Sequence, residues 1–176
     1  MAIRPAQSTD LPSIVAIYNA AIPSGLATAD TEPVTVAARE PWFREFDPAR
    51  RPLWVSESGG QVRGWLSLRS FYGRPAYDAT VEIAVYTAPQ AQRRGVAREL
   101  VAHALSAAPQ LSIRTVLAFV FGHNIPSLTL FRTQGFVDWG RLPRVAELGG
   151  VERDLLILGR RIAGRARKRA GAGNLP

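Results

Sequence analysis

The sequence predicts a mixed α/β (α+β) domain in which a hairpin-rich sheet joins a strand-helix-strand unit. Three observations carry that prediction. The chain of 176 residues is the length of one compact domain, and with 47% hydrophobic residues it can bury a sizeable core. Segments of period-two alternation are interleaved with segments of helical spacing, which separates strands from helices along the chain. Residues 113–121 form a nearly continuous apolar run behind a helix, the pattern of a central strand covered on both faces.

The elements follow in order. Residues 2–5 read as a short strand. Ser8-Thr9-Asp10 supplies N-cap chemistry ahead of Leu11, Ile14, Val15, Ile17, Tyr18 and Ala21, so a first helix is expected over about 10–21. Residues 22–33 mix Pro, Gly, Ser and Thr and read as a loop. A second helix starts near Thr35 and ends before Asp47-Pro48, because the residue before a proline is pushed out of the helical region. Residues 53–58 and 62–69 are apolar-rich runs joined by Gly59-Gly60, a hairpin signal.

Residues 76–87 predict the clearest strand, with Ala79, Val81, Ile83 and Val85 on one face and Thr80, Glu82, Ala84 and Tyr86 on the other. After the loop 90–95, Val96, Leu100, Val101, Ala104, Leu105 and Ala108 mark one helical face, which Pro109 closes. The strand 113–121 is followed by a short helix over 124–133 and two further strands around 136–142 and 152–158. No internal repeat is visible.

Composition narrows the function classes. The chain carries 22 Lys plus Arg against 14 Asp plus Glu, a net charge of +8, which suggests an anionic partner. The charge is uneven. Residues 159–176 hold Arg160, Arg161, Arg165, Arg167, Lys168 and Arg169 and no acid, so the remainder carries only +2. The expected organisation is one domain over 1–160 and a basic C-terminal tail over 161–176, too poor in large apolar groups to pack. The tail reads either as a solvated extension or as an arm for nucleic acid or a membrane surface.

Zero cysteines exclude a disulfide scaffold, a thiolate metal site and a cysteine nucleophile. Two histidines, His103 and His123, argue against a histidine-rich metal centre, so no metal is expected. His103 reads as structural and His123 as a loop histidine. Met1-Ala2-Ile3-Arg4-Pro5 lacks the apolar core of a secretory signal, and no apolar run approaches the roughly 18–20 residues that span a bilayer. A cytoplasmic location without membrane attachment is the expectation.

Gln92-Arg93-Arg94-Gly95-Val96-Ala97 lies between a strand and a helix, where amides at a helix N-terminus can bind phosphate. Gly95 permits close backbone approach, Ala97 does not obstruct it, and two arginines add positive charge. This is a candidate pyrophosphate cradle; the plainer alternative is a basic turn capped by glycine. The stretch is neither a dinucleotide-binding G-x-G-x-x-G nor a P-loop, because the further glycines and the Gly-Lys-Ser/Thr are absent.

With Asn124-x-x-Ser127 opening the next helix and Gly135-Phe136 after it, this strand and cradle resemble the acetyl-CoA-binding core of the Gcn5-related N-acetyltransferase (GNAT) superfamily. Thr31-Glu32-Pro33, Ala76-Tyr77-Asp78-Ala79-Thr80-Val81-Glu82 and Val85-Tyr86 look like the phosphinothricin and methionine sulfoximine N-acetyltransferases. The resemblance implies a mostly antiparallel twisted sheet of six to seven strands flanked by about four helices. It implies acetyl-CoA as cosubstrate, a small amino-acid-like primary amine as acceptor, and a homodimer.

On the same resemblance, Val85, Tyr86 and Thr87 would pair their main chain with the pantetheine arm, like an added strand. Gln92, Arg93, Arg94, Gly95, Val96, Ala97 and Arg98 would hold the pyrophosphate. Asn124 and Ser127 would reach the pantetheine or acyl end. Glu82 would be the general base that takes a proton from the substrate ammonium, since only a neutral amine attacks a thioester; read from pattern alone it is an exposed charge on a polar strand face. Arg74, Tyr77 and Thr80 are candidates for the acceptor site, because a planar guanidinium pairs well with two-oxygen anions; the alternative is a solvated arginine and a packed tyrosine.

Three departures stand out. Leu130-Phe131 occupies the helix where many superfamily members carry a tyrosine that protonates the leaving thiolate. Ala29-Asp30 replaces an aromatic and a basic or polar residue, and residues 147–154 lack the aromatic and histidine residues of the subfamily's acceptor site. An alternative acceptor is therefore a polyamine, an aminoglycoside or a protein N-terminus, favoured if Asp30, Glu147 and Glu152 line the pocket. A basic nucleic-acid-binding domain is the reading from another class, but the folded part shows no interleaving of aromatic and basic residues.

Overall fold

The computed structural model describes residues 1–163. Seven strands, β1 (Ala2–Pro5), β2 (Leu53–Ser58), β3 (Gln61–Ser70), β4 (Thr80–Thr87), β5 (Thr115–Phe121), β6 (Val137–Leu148) and β7 (Val151–Arg161), form one sheet in the order β1-β2-β3-β4-β5-β7-β6. Neighbours are antiparallel except β4 and β5, which run parallel. Four helices flank it: α1 (Leu11–Ala21), α2 (Val36–Arg44), α3 (Val96–Ala107) and α4 (Ile125–Thr133). This is the mixed, mostly antiparallel fold that the sequence and the resemblance predict, with the elements in the predicted order. Among the described residues no helix is long and apolar enough to cross a membrane.

Several boundaries move for identifiable reasons. The strand expected from residue 76 begins at Thr80, because Pro75–Tyr77 close a 3-10 turn in which the Tyr77 amide donates to the Arg74 carbonyl. The strand expected over 136–142 continues to Leu148 through Pro143. A proline is tolerated there because β6 is an edge strand and its register with β7 shifts between Leu142 and Ala146. At the C-terminus β7 includes Arg161, so the strand runs one residue past the expected boundary at 160, and the Ile162 amide beyond it donates to the Arg114 carbonyl at 2.9 Å. The rest of the expected tail, from residue 164, lies outside the described residues.

Two neighbouring residues of β3 define the layers. The Trp65 indole Nε1 donates to the Ile14 carbonyl of α1 at 3.1 Å, whereas Gly64 turns the opposite way toward Val96 and Leu100 of α3. Successive strand residues face opposite sides, so α1 and α3 sandwich the sheet. The core between them includes Ile14, Val55, Leu66, Leu68, Val81, Leu100, Val101 and Val116, all essentially inaccessible. At the N-terminal edge Arg4 donates to both oxygens of the nearly buried Asp10, at 2.7 and 2.9 Å, and to Glu57, tying β1 to the start of α1 and to β2.

Gly64 sets how closely α3 approaches the sheet. A Cβ at this position would stand 2.8 Å from the Tyr86 carbonyl oxygen and 2.9 Å from Val96 Cγ1. We expect Gly64→Ala to lower stability by about 1–3 kcal/mol, the range for overpacking a close contact. Thermal unfolding checks this, and an unchanged melting temperature would show that α3 can yield.

Candidate active site

The site begins where a pairing stops. β4 and β5 are in register over Thr80–Glu82 and Thr115–Leu117, but β4 stays paired with β3 as far as Thr87 and β5 with β7 as far as Phe121. Beyond Glu82 the two strands therefore diverge, and the inner edge of β4 faces a wedge-shaped opening instead of a neighbouring strand. Glu82 stands at the vertex.

One side of the wedge is a cleft of about 560 Å³. It brings together Val85, Tyr86 and Thr87 from β4, Gln92, Arg93, Gly95, Val96, Ala97 and Arg98 from the loop and start of α3, and Asn124 and Ser127 from α4. Of the residues expected to hold a nucleotide cofactor, Arg94 stands outside the lining. Gly95 is the N-cap of α3 at φ 84° with no side-chain cap, and Arg93 is also left-handed at φ 58°. The first intrahelical amide bond is from Glu99 to the Gly95 carbonyl, so the amides of Val96, Ala97 and Arg98 have no helical partner. A left-handed residue on either side of Arg94 ahead of open helical amides makes a cradle for an anion.

The other side is a cavity of about 550 Å³ that shares Leu26, Ala27, Val85, Tyr86, Asn124 and Ser127 with the cleft. Its walls are Phe119 and Phe121 of β5, Phe131 of α4, Val145 and Ala146 of β6, and Leu155 of β7, with Tyr18, Thr28 and Asp30 opposite. Glu82 lies on its floor, half-buried and without a hydrogen bond among the described residues. Burial raises its carboxyl above the ordinary glutamate range, and the charge of Arg69, its cross-strand neighbour, only partly opposes this. Arg69 itself donates to Glu45 at 2.9 Å.

Tyr86 stacks on Trp65 with ring centroids 4.5 Å apart and donates its hydroxyl to the Ala27 carbonyl at 2.9 Å. Burial raises that phenol far above its usual value. Tyr18 pairs with Thr28 at 2.5 Å and donates to Asp30 at 2.6 Å, and Asp30 accepts from Arg39 at 3.1 Å. Asp30 is thus anchored on the cavity wall with its charge partly matched from behind. Asn124 caps α4 by accepting from the Ser127 amide at 3.1 Å, and its Nδ2 donates to the Leu26 carbonyl at 2.9 Å. Both ends of its amide are therefore engaged within the chain, although it lines both spaces.

The acceptor candidates are not gathered here. Arg74 and Tyr77 line a separate hollow of about 370 Å³ with Arg50 and Asp78, which form an ion pair. The 3-10 turn that delays β4 carries them there. Their link to the cavity is indirect, through Phe71, which contacts Tyr77 edge-on at 5.5 Å and stacks with Phe119 at 6.5 Å. Thr80 sits at the paired base of β4, opposite Thr115, and does not line the cavity. Asp30 lines it, as the cationic-acceptor alternative requires, but Glu147 does not, and Glu152 lines a different hollow beside Arg132 and Arg141. Phe131 is buried in the wall and packs against Phe136 at 5.1 Å.

Sequence reasoning missed Tyr18, Thr28, Phe119, Phe121, Val145 and Leu155 as site residues. Tyr18 read as part of a helical stripe, and the two phenylalanines as ordinary members of an apolar strand. Their alternate spacing on β5 was the available signal, since it places both rings on one face.

Comparison with known proteins fits this arrangement. The profile of the "Acetyltransferase (GNAT) family" matches residues 14–136. The chain is 47% identical over 164 residues to YwnH of Bacillus subtilis (strain 168), provisionally named a phosphinothricin acetyltransferase, covering 93% of this chain and 100% of that protein. It is 30% identical over 158 residues to the L-amino acid N-acyltransferase MnaT of Escherichia coli (strain K12), covering 90% and 92%. Among solved structures, a GNAT superfamily phosphinothricin acetyltransferase from Sinorhizobium meliloti in complex with AcCoA superposes with a TM-score of 0.88 at 27% identity, covering 95% of this chain and 91% of that one.

The state of Glu82 has a thermodynamic signature. A carboxyl whose folded pKa lies above the unfolded value favours the fold while protonated, and that contribution is lost as pH rises through the folded value. Glu82→Gln, which cannot ionise, should therefore melt at or above the wild-type temperature at neutral pH, with the gain vanishing below about pH 4. Paired melts at the two pH values check it; a variant that melts lower at neutral pH would mean that the carboxylate is held by a favourable partner.

Proposed function

The chain belongs to the acetyltransferase (GNAT) family, and we propose that it acetylates the primary amine of a small, amino-acid-like substrate by direct transfer from acetyl-CoA, with Glu82 as general base. The observation that carries this reading is the position of Glu82: half-buried, without a side-chain hydrogen-bonding partner among the described residues, at the vertex between an anion cradle and a largely apolar cavity. The amino-acid-like acceptor rests on the relatives, whose names specify phosphinothricin, L-amino acids and L-methionine sulfoximine or sulfone.

The residues divide the work by chemistry. Acetyl-CoA supplies an activated thioester. The amides of Val96, Ala97 and Arg98 and the charges of Arg93 and Arg98 suit its pyrophosphate, and the open edge of β4 at Val85, Tyr86 and Thr87 suits the amide-bearing pantetheine arm. Glu82 takes the proton that the ammonium must lose before nitrogen attacks the carbonyl carbon, directly or through one water. Nitrogen bonds to the carbonyl carbon and sheds its second proton to solvent, the C–S bond breaks and the thiolate leaves. Phe131 has no proton to give, and a buried phenol such as Tyr86 holds its proton more tightly than a thiol, whose usual pKa is about 8.5. The thiolate therefore leaves as the anion and equilibrates with protons of the bulk solvent.

A second reading keeps the reaction and changes the acceptor. The charged residues lining the acceptor cavity are Glu82 and Asp30, and no lysine, arginine or histidine lines it among the described residues. That lining favours a cationic amine without a carboxylate over an amino acid. The homodimer implied by the resemblance stays part of the proposal, supported by the exposed apolar residues Val137, Trp139, Leu142, Val145 and Val151 of the last hairpin.

Thiol release from acetyl-CoA against a panel of phosphinothricin, methionine sulfoximine, other amino acids and polyamines tests the reaction and separates the two acceptors. Glu82→Gln should lower kcat by about 10²-fold or more while leaving acetyl-CoA affinity intact. It should also remove an acidic limb that, for the wild type, lies above the ordinary glutamate range near 4.3. Unchanged turnover would rule out Glu82 as base. Gly95→Val forces a branched residue to φ 84° and should weaken acetyl-CoA binding about tenfold in calorimetry.

A further inference from the structure

The wall shared by the cleft and the cavity is a short segment whose backbone is held from across the wedge. Three consecutive carbonyls, of Gly25, Leu26 and Ala27, each accept a side-chain hydrogen bond: from His123 Nε2 at 2.9 Å, Asn124 Nδ2 at 2.9 Å and the Tyr86 hydroxyl at 2.9 Å. Leu26 and Ala27 line both spaces, so the height of this strap sets the width of each. Asn124 and Tyr86 also line both spaces. His123 lines neither; it borders the hollow on the far side of α4.

A carbonyl oxygen can only accept, so His123 must carry its proton on Nε2. Nδ1 is buried with no partner. Leaving a buried nitrogen unpartnered is unfavourable, so this ring is not oriented by its own needs. Two contacts fix it: the Gly25 bond on one side and, on the other, a stack with Phe121 at 5.7 Å, whose ring forms part of the cavity wall. Gly25 itself is left-handed at φ 59°, the point where the chain turns out of the 3-10 turn Ile22–Ser24 into the strap.

We propose that His123 is a positioning residue for acetyl transfer: its Nε2–H fixes the Gly25 carbonyl and thereby sets the Leu26–Ala27 wall against which cofactor and acceptor both rest. The part that concerns acetyl-CoA rests on the proposed function; the part that concerns the strap does not. The donor, not the ring's bulk or charge, performs the task.

Two substitutions separate these contributions. His123→Phe keeps a flat ring on Phe121 and removes the donor; His123→Gln offers an amide N–H at similar reach. Hydrogen exchange over residues 22–34 reports the strap directly, and calorimetry reports acetyl-CoA affinity. His123→Phe should speed exchange across the strap and weaken acetyl-CoA binding about fivefold, as for loss of one net hydrogen bond, whereas His123→Gln should return both to within about twofold of wild type. Wild-type exchange in His123→Phe, or a strap as loose in His123→Gln as in His123→Phe, would overturn the proposal. A wild-type protein that binds no acetyl-CoA but shows this exchange pattern would defeat the proposed function and leave the strap assignment standing.

Discussion

The structure depends on the point at which β4 parts from β5. Backbone amides and carbonyls in a sheet interior need partners, and a central strand ordinarily finds them on both sides. Here β4 keeps its β3 partner to Thr87 but loses β5 after Glu82. The main chain beyond that point is left with one open edge inside the protein, suited to a ligand carrying amides of its own. The divergence also decides what lies at each end of the opening. The strand delivers the chain into the loop before α3, so the open amides of that helix face the same wedge, while β5 ends at the cap of α4 and brings Asn124 to the other wall.

Holding such a wedge open within a small domain requires a stiff floor. An aromatic column supplies it: Trp42 meets Trp65 edge-on at 5.7 Å, Trp65 stacks under Tyr86 at 4.5 Å, and Tyr86 meets Tyr18 at 5.2 Å. Arg39 lies over the Tyr18 ring at 4.5 Å and also binds Asp30. Each aromatic pair contributes on the order of 1 kcal/mol beyond its burial, and together they join α1, α2, β3 and β4. The polar tips of the column, Tyr18 and Tyr86, are the groups that grip the strap at Thr28 and Ala27. The rigidity of the core is thereby carried into the wall of the site.

How much of this was legible in the sequence depended on how locally each feature is encoded. The order of elements followed from periodicity. The cradle followed from a continuous stretch, residues 92–98, because a helix start, a glycine and basic residues fall side by side. The cavity beside Glu82 did not, since it is assembled from α1, residues 26–30, β4, β5, α4 and the last hairpin, and no single segment carries a mark of it. Arg74 and Tyr77 show the converse. They are close to Glu82 in the chain, yet a 3-10 turn begun by Pro75 carries them into another hollow. Asn124 was legible as a helix cap and a candidate, but its partner Leu26 is 98 positions away and nothing local announces the bond.

The chemistry of the wedge is one-sided, and that follows from the two protons involved. An attacking amine is protonated near neutral pH, with a usual pKa of about 8 for an α-amino group and about 10 for an alkyl amine, and must give up its proton before it can react. A leaving thiolate, with a usual pKa of about 8.5, can depart without one. A base is therefore needed and an acid is not. Under the proposed reaction Glu82, raised by burial, would meet the first need, and a phenyl ring at Phe131 in place of a hydroxyl leaves the second unmet at little expense. Freed from supplying a donor, that face of α4 packs Phe131 on Phe136 and lends the cavity an apolar wall. Under the proposed reaction, the wall that offers no acid belongs to the same cavity whose floor holds the base, and burial there raises the carboxyl.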